Sequence, residues 1–309
     1  MTDSAQMPQV VSDVPVLPPR AAETHKGESG HVAIIAGSRG MSGAACLAGL
    51  GALRGGAGLV RVLTPVSTQP IVAGSEPSLM TVPLPETKAG QLSPAAADLL
   101  DKMAFQWAHV VAIGPGLGAS PGPDSDLAKL VAYTLGAARQ VVVDADALNA
   151  MPELLHQWTA ACAQPPVLTP HPGEMARLRR GAGLAELKAA GEEARLRLAH
   201  EYAVLSKAVV VLKGHRTIVA TPRQAYVNTT GNPGMATGGM GDVLTGLLAA
   251  LLGQGLSPFD AARLAVYAHG AAADQLARQI GPRGYLAREV ADALPTALAE
   301  ASRPPIGFK

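Results

Sequence analysis

Cysteine is nearly absent from this 309-residue chain, which carries only Cys46 and Cys162. Two thiols make neither a disulfide framework nor a tetrahedral cysteine zinc site, so a reducing compartment is expected. Net charge is missing as well. The 25 basic and 24 acidic residues leave a formal +1, which gives no electrostatic reason to expect nucleic acid or an anionic membrane as a partner. Any anion must then be held locally, by backbone amides and a few placed side chains. The longest apolar run, around residues 243–252, falls far short of the ~20 residues needed to span a bilayer. The N-terminus shows neither a basic start before an apolar stretch nor an Arg-rich amphipathic pattern, so no export signal is expected. These absences predict a soluble, cytoplasmic protein. What is present, 48% hydrophobic and 16% charged residues, is the composition of a compact globular chain.

Residues 1–24 carry several prolines and little periodicity and read as a loose N-terminal arm. Regular patterning begins at His31. Residues 31–36 (HVAIIA), 59–64 (LVRVLT), 109–113, 140–143, 167–168, 208–212 and 216–220 read as short strands, several of them buried on both faces. Helical patterns lie between them, at residues 43–54, 124–138 and near 185–206, with two long helices at the C-terminal end. The last of these is punctuated by Ser257 as cap, Pro258 at the first position, Asp260 three residues after the cap and Gly281 as stop. Strands alternating with helices predict an α/β fold with a mainly parallel sheet and right-handed crossovers. No repeat or composition break divides residues 25–309, which are expected to form one domain.

Two familiar fingerprints fail. Gly114-Pro-Gly116-Leu-Gly118-Ala119 fits the dinucleotide pattern, but Pro121, Gly122 and Pro123 follow at once, where a helix should open onto a pyrophosphate. Gly118-Ala-Ser120-Pro-Gly122 fits the nucleophile elbow, but Pro121 lacks the amide that an oxyanion hole needs after the serine. Neither a Walker A sequence nor H-E-x-x-H is present.

The informative segment is residues 228–246, NTTGNPGMATGGMGDVLTG, with six glycines and the run Gly238-Gly239-Met240-Gly241-Asp242 just before an apolar helix. Such a loop can aim consecutive amides into one concavity, and the helix N-terminus adds its own amides and positive dipole end. Asp242 has a bland reading as the helix N-cap. A cap does not require four residues of glycine-rich backbone in front of it. A carboxylate beside an anion hole suits phosphoryl transfer, as the base for an attacking hydroxyl.

The loop resembles the ribokinase-like superfamily, and the longer string resembles its NAD(P)H-hydrate dehydratase branch. The resemblance runs from about His25 to Leu294. It is carried by His25-Lys26-Gly27, AGSRGMSGA (36–44), GGAGLV (55–60), GPGLG (114–118), DADALN (144–149), TPHPGE (169–174), KGHRT (213–217) and the glycine loop. It implies a ribokinase-like three-layer αβα sandwich with a mainly parallel central sheet. It also implies an enzyme that uses ADP to phosphorylate the ring hydroxyl of (S)-NADH-hydrate or (S)-NADPH-hydrate, then eliminates phosphate to leave NAD(P)H and AMP.

On that resemblance Asp242 is the base, and the amides of Gly238, Gly239 and Gly241 hold the transferred phosphate. Lys213, Gly214, His215, Arg216 and Thr217 form the ADP segment, and Ala44, Gly116 and His171 contact the hydrated dinucleotide together with Asp242. Each has a plainer reading: Lys213 as a solvated strand-end lysine, His171 as a cap for the helix that follows, Glu174 as a first-turn acid favouring the dipole, Ala44 and Gly116 as tight packing. Asp144 and Asp146 end a strand and could help hold Mg²⁺ through water, although turn chemistry explains them nearly as well. No metal ligand is assigned. Position 41 is Met where relatives often carry an aromatic residue. The sequence lacks the N-terminal epimerase domain of many relatives, so action on one epimer with a separate epimerase is expected, in a homo-oligomer, by resemblance a tetramer. The rival readings are a ribokinase-like kinase of a vitamin precursor, of hydroxyethylthiazole or hydroxymethylpyrimidine type, and a nucleotide-binding regulator without catalysis. TPHPGE argues against the first and the intact Asp242 against the second.

Overall fold

A computed structural model describes residues 7–118, 122, 125–150, 152–185 and 191–302. The short apolar runs assemble into one ten-stranded sheet: β1 (Gln9–Val11), β2 (His31–Ile35), β3 (Leu59–Pro65), β4 (Met80–Leu84), β5 (Val110–Ile113), β6 (Val141–Val143), β7 (Val167–Leu168), β8 (Val209–Leu212), β9 (Ile218–Ala220) and β10 (Gln224–Val227). The order is β1-β10-β9-β8-β7-β6-β5-β2-β3-β4. Neighbours run parallel except around β9, which is antiparallel to both β8 and β10.

The strands lack polar alternation because both faces are covered. Val32 and Ile34 enter one apolar core while Ala33 and Ile35 enter the other, and Val209 and Val211 divide from Val210 and Leu212 in the same way. The first core lies under the helices Ser42–Arg54, Met240–Gly253, Pro258–Gln279 and Ala287–Ala301. The second lies under Asp126–Ala137, Leu155–Ala161, Pro172–Gly181 and Glu192–Ser206. Helices, sheet and helices make the three layers.

Small residues set the closest approach. A Cβ at Gly51 would overlap the Val243 carbonyl, and one at Gly246 would overlap the Ala48 carbonyl. The helices Ser42–Arg54 and Met240–Gly253 therefore touch backbone to backbone, which fixes where the second one begins.

Five expectations change. The segment read as a loose arm joins the sheet of its own chain: Gln9 to Val11 pair with Gln224 to Tyr226, Val14 and Leu17 pack on the core, and Arg263 reaches the Asp13 carbonyl at 2.8 Å and its carboxylate at 3.0 Å. β4 was hidden by Pro83, which an edge strand tolerates because its missing amide faces no neighbour. β10, QAYV, opens on a polar residue and was not read as a strand. The helix punctuated by Ser257 is present, with Ser257 Oγ accepting from the Asp260 amide, but it is not the last: Ala287–Ala301 follows, its periodicity masked by Pro295. The helix read from residue 124 starts at Asp126 on a Ser125 cap. Ser120 and Pro121, on which the rejected elbow turned, lie outside the described residues, as do residues 186–190 of the charged helix. Among the described residues no helix is long and apolar enough to cross a membrane.

Candidate active site

β6, β7 and β8 run parallel, so the residues that follow them, Asp144, Thr169 and Lys213, emerge on one edge of the sheet. In open α/β sheets that edge is where ligands sit. Asp144 is 1% exposed. Its Oδ1 accepts from Thr169 Oγ1 at 2.6 Å and Lys213 Nζ at 2.7 Å, and its Oδ2 accepts from Thr245 Oγ1 at 2.8 Å. Glu174 approaches the same ammonium at 3.9 Å. Burial alone would pull the Lys213 pKa down, but Asp144 and Glu174 outweigh it and hold it above the ordinary value. A solvated strand-end lysine is therefore not what the structure contains.

The helix Met240–Gly253 arrives at this edge with Gly239 as its N-cap, in the left-handed region at φ 89°. Glycine has no side chain to cap with, and the first amides of a helix have no intrahelical acceptor. Asp242 is thus not the cap; it lies in the first turn. Its pKa is pushed up to about 7, first by burial, then by the Asp144 charge, with Lys213 opposing and Asp146 adding. A Cβ at Gly241 would come within 3.4 Å of Lys213 Nζ, so this part of the turn faces the ammonium directly.

Beside it lies a cleft of ≈ 460 Å³ lined by Lys213, Gly214, His215, Arg216, Thr217 and Gly241, with Asn228, Asn232, Met235 and His269 among the other walls. Gly238 and Gly239 are not part of that lining. A Cβ on Gly238 would meet only open space, and Gly239 is wedged against Leu47 and Ala287. The segment after β8 is held from below by Arg195, whose guanidinium donates to the carbonyls of Leu212, Lys213, His215 and Arg216. The glycine loop is pinned by Asp274, which accepts from the Gly231 amide and Asn232 Nδ2, each at 2.8 Å. His269 is buried with Nε2 unpartnered, and burial with Lys213 lowers its pKa to about 4, so it is neutral.

His171 turns out to be a cap. Its Nδ1 accepts from the Gly173 and Glu174 amides at 3.0 and 3.3 Å, while Glu174 Oε2 accepts from the His171 amide at 2.7 Å. The ring is half exposed, and burial, then the Lys213 and Arg177 charges, lower its pKa. Glu174 is pushed up to about 7, mainly by burial, with Lys213 and the His171 amide opposing. It is buried rather than a surface first-turn acid.

Ala44 and Gly116 meet each other: a Cβ at Gly116 would come within 2.8 Å of the Ala44 Cβ, and Ser38 Oγ donates to the Gly116 carbonyl at 2.8 Å. That is the tight-packing geometry. The turn connects to the same edge through Asp146, whose Oδ2 accepts from the Gly118 amide at 2.8 Å. Asp144 and Asp146 are thus both engaged by protein donors. Arg195, Asp274, Thr169 and Thr245 were not singled out in the sequence. Thr245 carried a signal, as the one hydroxyl inside the apolar run that follows Asp242.

A family model described as NAD(P)H-hydrate dehydratase matches residues 32–296. The bifunctional NAD(P)H-hydrate repair enzyme of Moorella thermoacetica is 48% identical over 284 residues, covering 91% of this chain and 52% of the relative. The chain spans about half the length of the curated relatives it matches. Among solved structures, an ADP/ATP-dependent NAD(P)H-hydrate dehydratase from Bacillus subtilis, co-crystallised with ATP and Mg²⁺, superposes with a TM-score of 0.77 at 31% identity, over 93% of this chain and 95% of the other. A ribokinase-like superfamily protein from Enterococcus faecalis gives a TM-score of 0.75 at 28% identity over 94% and 93%. The ribokinase-like architecture expected from the glycine loop is the one observed.

Proposed function

The chain belongs to the NAD(P)H-hydrate dehydratase family, and from that premise we propose that it dehydrates (S)-NADH-hydrate or (S)-NADPH-hydrate with ADP as phosphate donor, giving NAD(P)H, AMP and phosphate. The observation that carries the proposal is Asp242. It is a largely buried carboxylate with a pKa near 7, in the first turn of a helix whose N-cap has no side chain, beside a cleft lined by the segment after β8.

In this reading ADP occupies the cleft against Lys213, Gly214, His215, Arg216, Thr217 and Gly241, with Arg195 keeping that segment in shape. The amides of Gly238, Gly239 and Gly241 receive the phosphoryl group in flight, since donors aimed at developing charge stabilise the transition state. Asp242 takes the proton of the ring hydroxyl while the hydroxyl oxygen bonds to the terminal phosphorus of ADP, and the bond to the bridging oxygen breaks to release AMP. A base with a pKa near the working pH is suited to this transfer. The ring nitrogen then donates its electron pair, the carbon–oxygen bond to phosphate breaks, and the neighbouring ring carbon loses a proton, which restores the dihydropyridine. His171, Ala44 and Gly116 are the proposed contacts for the dinucleotide. The opposite epimer would have to be converted by an epimerase first.

Mg²⁺ fits here as an ion carried by nucleotide phosphates and water. Among the described residues no group of three or more His, Cys, Asp or Glu side chains could hold a metal, and Mg²⁺ commonly keeps several waters. When bound it would neutralise phosphate charge. Cytoplasmic location and assembly as a homotetramer complete the reading, and light scattering tests the latter.

The deciding experiment incubates the protein and Mg²⁺ with NADH-hydrate and either ADP or ATP, following reduced-nicotinamide absorbance and released phosphate. Recovery with matching phosphate in the ADP arm supports the proposal. Recovery with ATP alone moves the donor, and none with either nucleotide sinks it.

A further inference from the structure

We infer that Asp144 is a positioning residue: its buried carboxylate locks the helix that carries Asp242 onto the strand ends from which the nucleotide and substrate segments depart. The inference rests on the function proposed above and gives Asp144 a role distinct from metal binding.

The three donors come from three different parts of the fold. Thr169 opens the TPHPGE segment after β7, Lys213 opens the KGHRT segment after β8, and Thr245 lies one turn beyond Asp242 on its helix. Asp144 is itself fixed from both sides, its amide donating to the Ile113 carbonyl at 3.0 Å and its carbonyl accepting from the Ala147 amide at 3.1 Å. A carboxylate offers about four acceptor sites. Three of them are filled on a side chain that is 1% exposed, so little of this carboxylate is left for direct coordination of an ion. One anion therefore sets the separation between both substrate segments and the base. Leaving any of its donors unpaired in so buried a place is costly.

The same carboxylate acts on Asp242 through its charge. The charged groups that face Asp242 are Asp144 and Asp146 from the end of β6 and Lys213 from the end of β8; Glu174 faces Lys213. Loss of Asp144 removes a repelling anion and frees the Lys213 cation, and both changes favour ionised Asp242. Loss of Lys213 has the opposite sign.

The test follows the Asp242 carboxyl by ¹³C NMR titration, with the resonance assigned by its absence in Asp242→Asn, alongside turnover as a function of pH. In Asp144→Asn the midpoint should fall by roughly one pH unit and in Lys213→Met it should rise, the size expected for a charge within a few ångströms. Thr245→Val keeps every charge, so its midpoint should stay put while turnover drops about 10-fold through misplacement of the base. A folded Asp144→Asn protein whose Asp242 titrates as in the wild type overturns the inference, and so does full turnover in Thr245→Val. If Asp144→Asn does not fold, an unmoved midpoint in Lys213→Met overturns it. The titration needs no substrate, so a wild type that fails to restore NADH would remove the proposed function while the midpoints still decide how Asp144 acts on Asp242.

Discussion

Two helix N-termini reach the edge of the sheet where Asp144, Thr169 and Lys213 emerge, and they are treated in opposite ways. At Pro172–Gly181 the end is closed: His171 Nδ1 takes two amides, and Glu174 returns a bond to the His171 amide. At Met240–Gly253 the cap is a glycine with nothing to offer. Both helices carry a first-turn acid whose pKa burial lifts to about 7. Burial of an acid is therefore common to the two. What separates them is whether the neighbouring amides already have partners. The closed end is scaffold, and the open end keeps donors available for an anion.

The strongest way to break this contrast is Asp242→Asn. Positioned acid–base groups contribute about 10²–10⁴-fold, so steady-state turnover should fall at least about 10²-fold while calorimetry shows nucleotide binding retained. The wild-type rate should climb with pH and level off above about 7, as Asp242 ionises. Near-full activity in the variant would reduce Asp242 to a dipole-favouring acid like any other.

Gly241→Val comes next. A branched side chain would press on Lys213 Nζ, already 3.4 Å from the position of a Cβ. Overpacking costs about 1–3 kcal/mol, so titration calorimetry should show ADP affinity lowered on the order of 10-fold. Unchanged affinity would mean that the phosphates do not reach the open end.

His171→Ala removes a cap, which costs about 1 kcal/mol and should lower the melting temperature by about 2–4 °C. A turnover loss without that loss of stability would make His171 a substrate contact first and a cap second.

The smallest effect concerns stability. Asp242 and Glu174 have folded pKa values near 7, above those of an unfolded chain. The folded state then binds more protons, so stability is greatest at low pH by this contribution and falls as pH rises from about 4 to about 7. Asp242→Asn should flatten part of that fall and melt about 2 °C above the wild type at pH 8. A variant that melts lower there would show that the Asp242 charge is stabilised by its neighbours.

The open end was the more legible of the two. A glycine run before an apolar helix is a local pattern, and a helix start with Asp242 in its first turn and no capping side chain follows from it without tertiary knowledge. The interior strands were legible for the same reason, since runs such as VVV and VVVL have no polar face to present. What escaped depended on partners distant in sequence. Arg195 is one of two arginines on a charged helix until the segment after β8 folds over it. Asp144 looks like a turn residue until Lys213 and Thr245, 69 and 101 positions away, converge on it. The arm looked loose because three strand residues show no alternation worth reading, and only β10 supplies their ladder.

The backbone contact at Gly51 and Gly246 has a consequence for dynamics. Helices joined through their main chains, with no side-chain layer between them to compress, move as a single piece. Amides from Val243 to Leu252 should then exchange with solvent only when the whole domain unfolds, whereas those of the exposed stretch from Ala236 to Gly238, beyond the part of the loop that Asp274 pins, should open in small local excursions. Any motion at this end of the helix would be made by that stretch, against a helix that stays still.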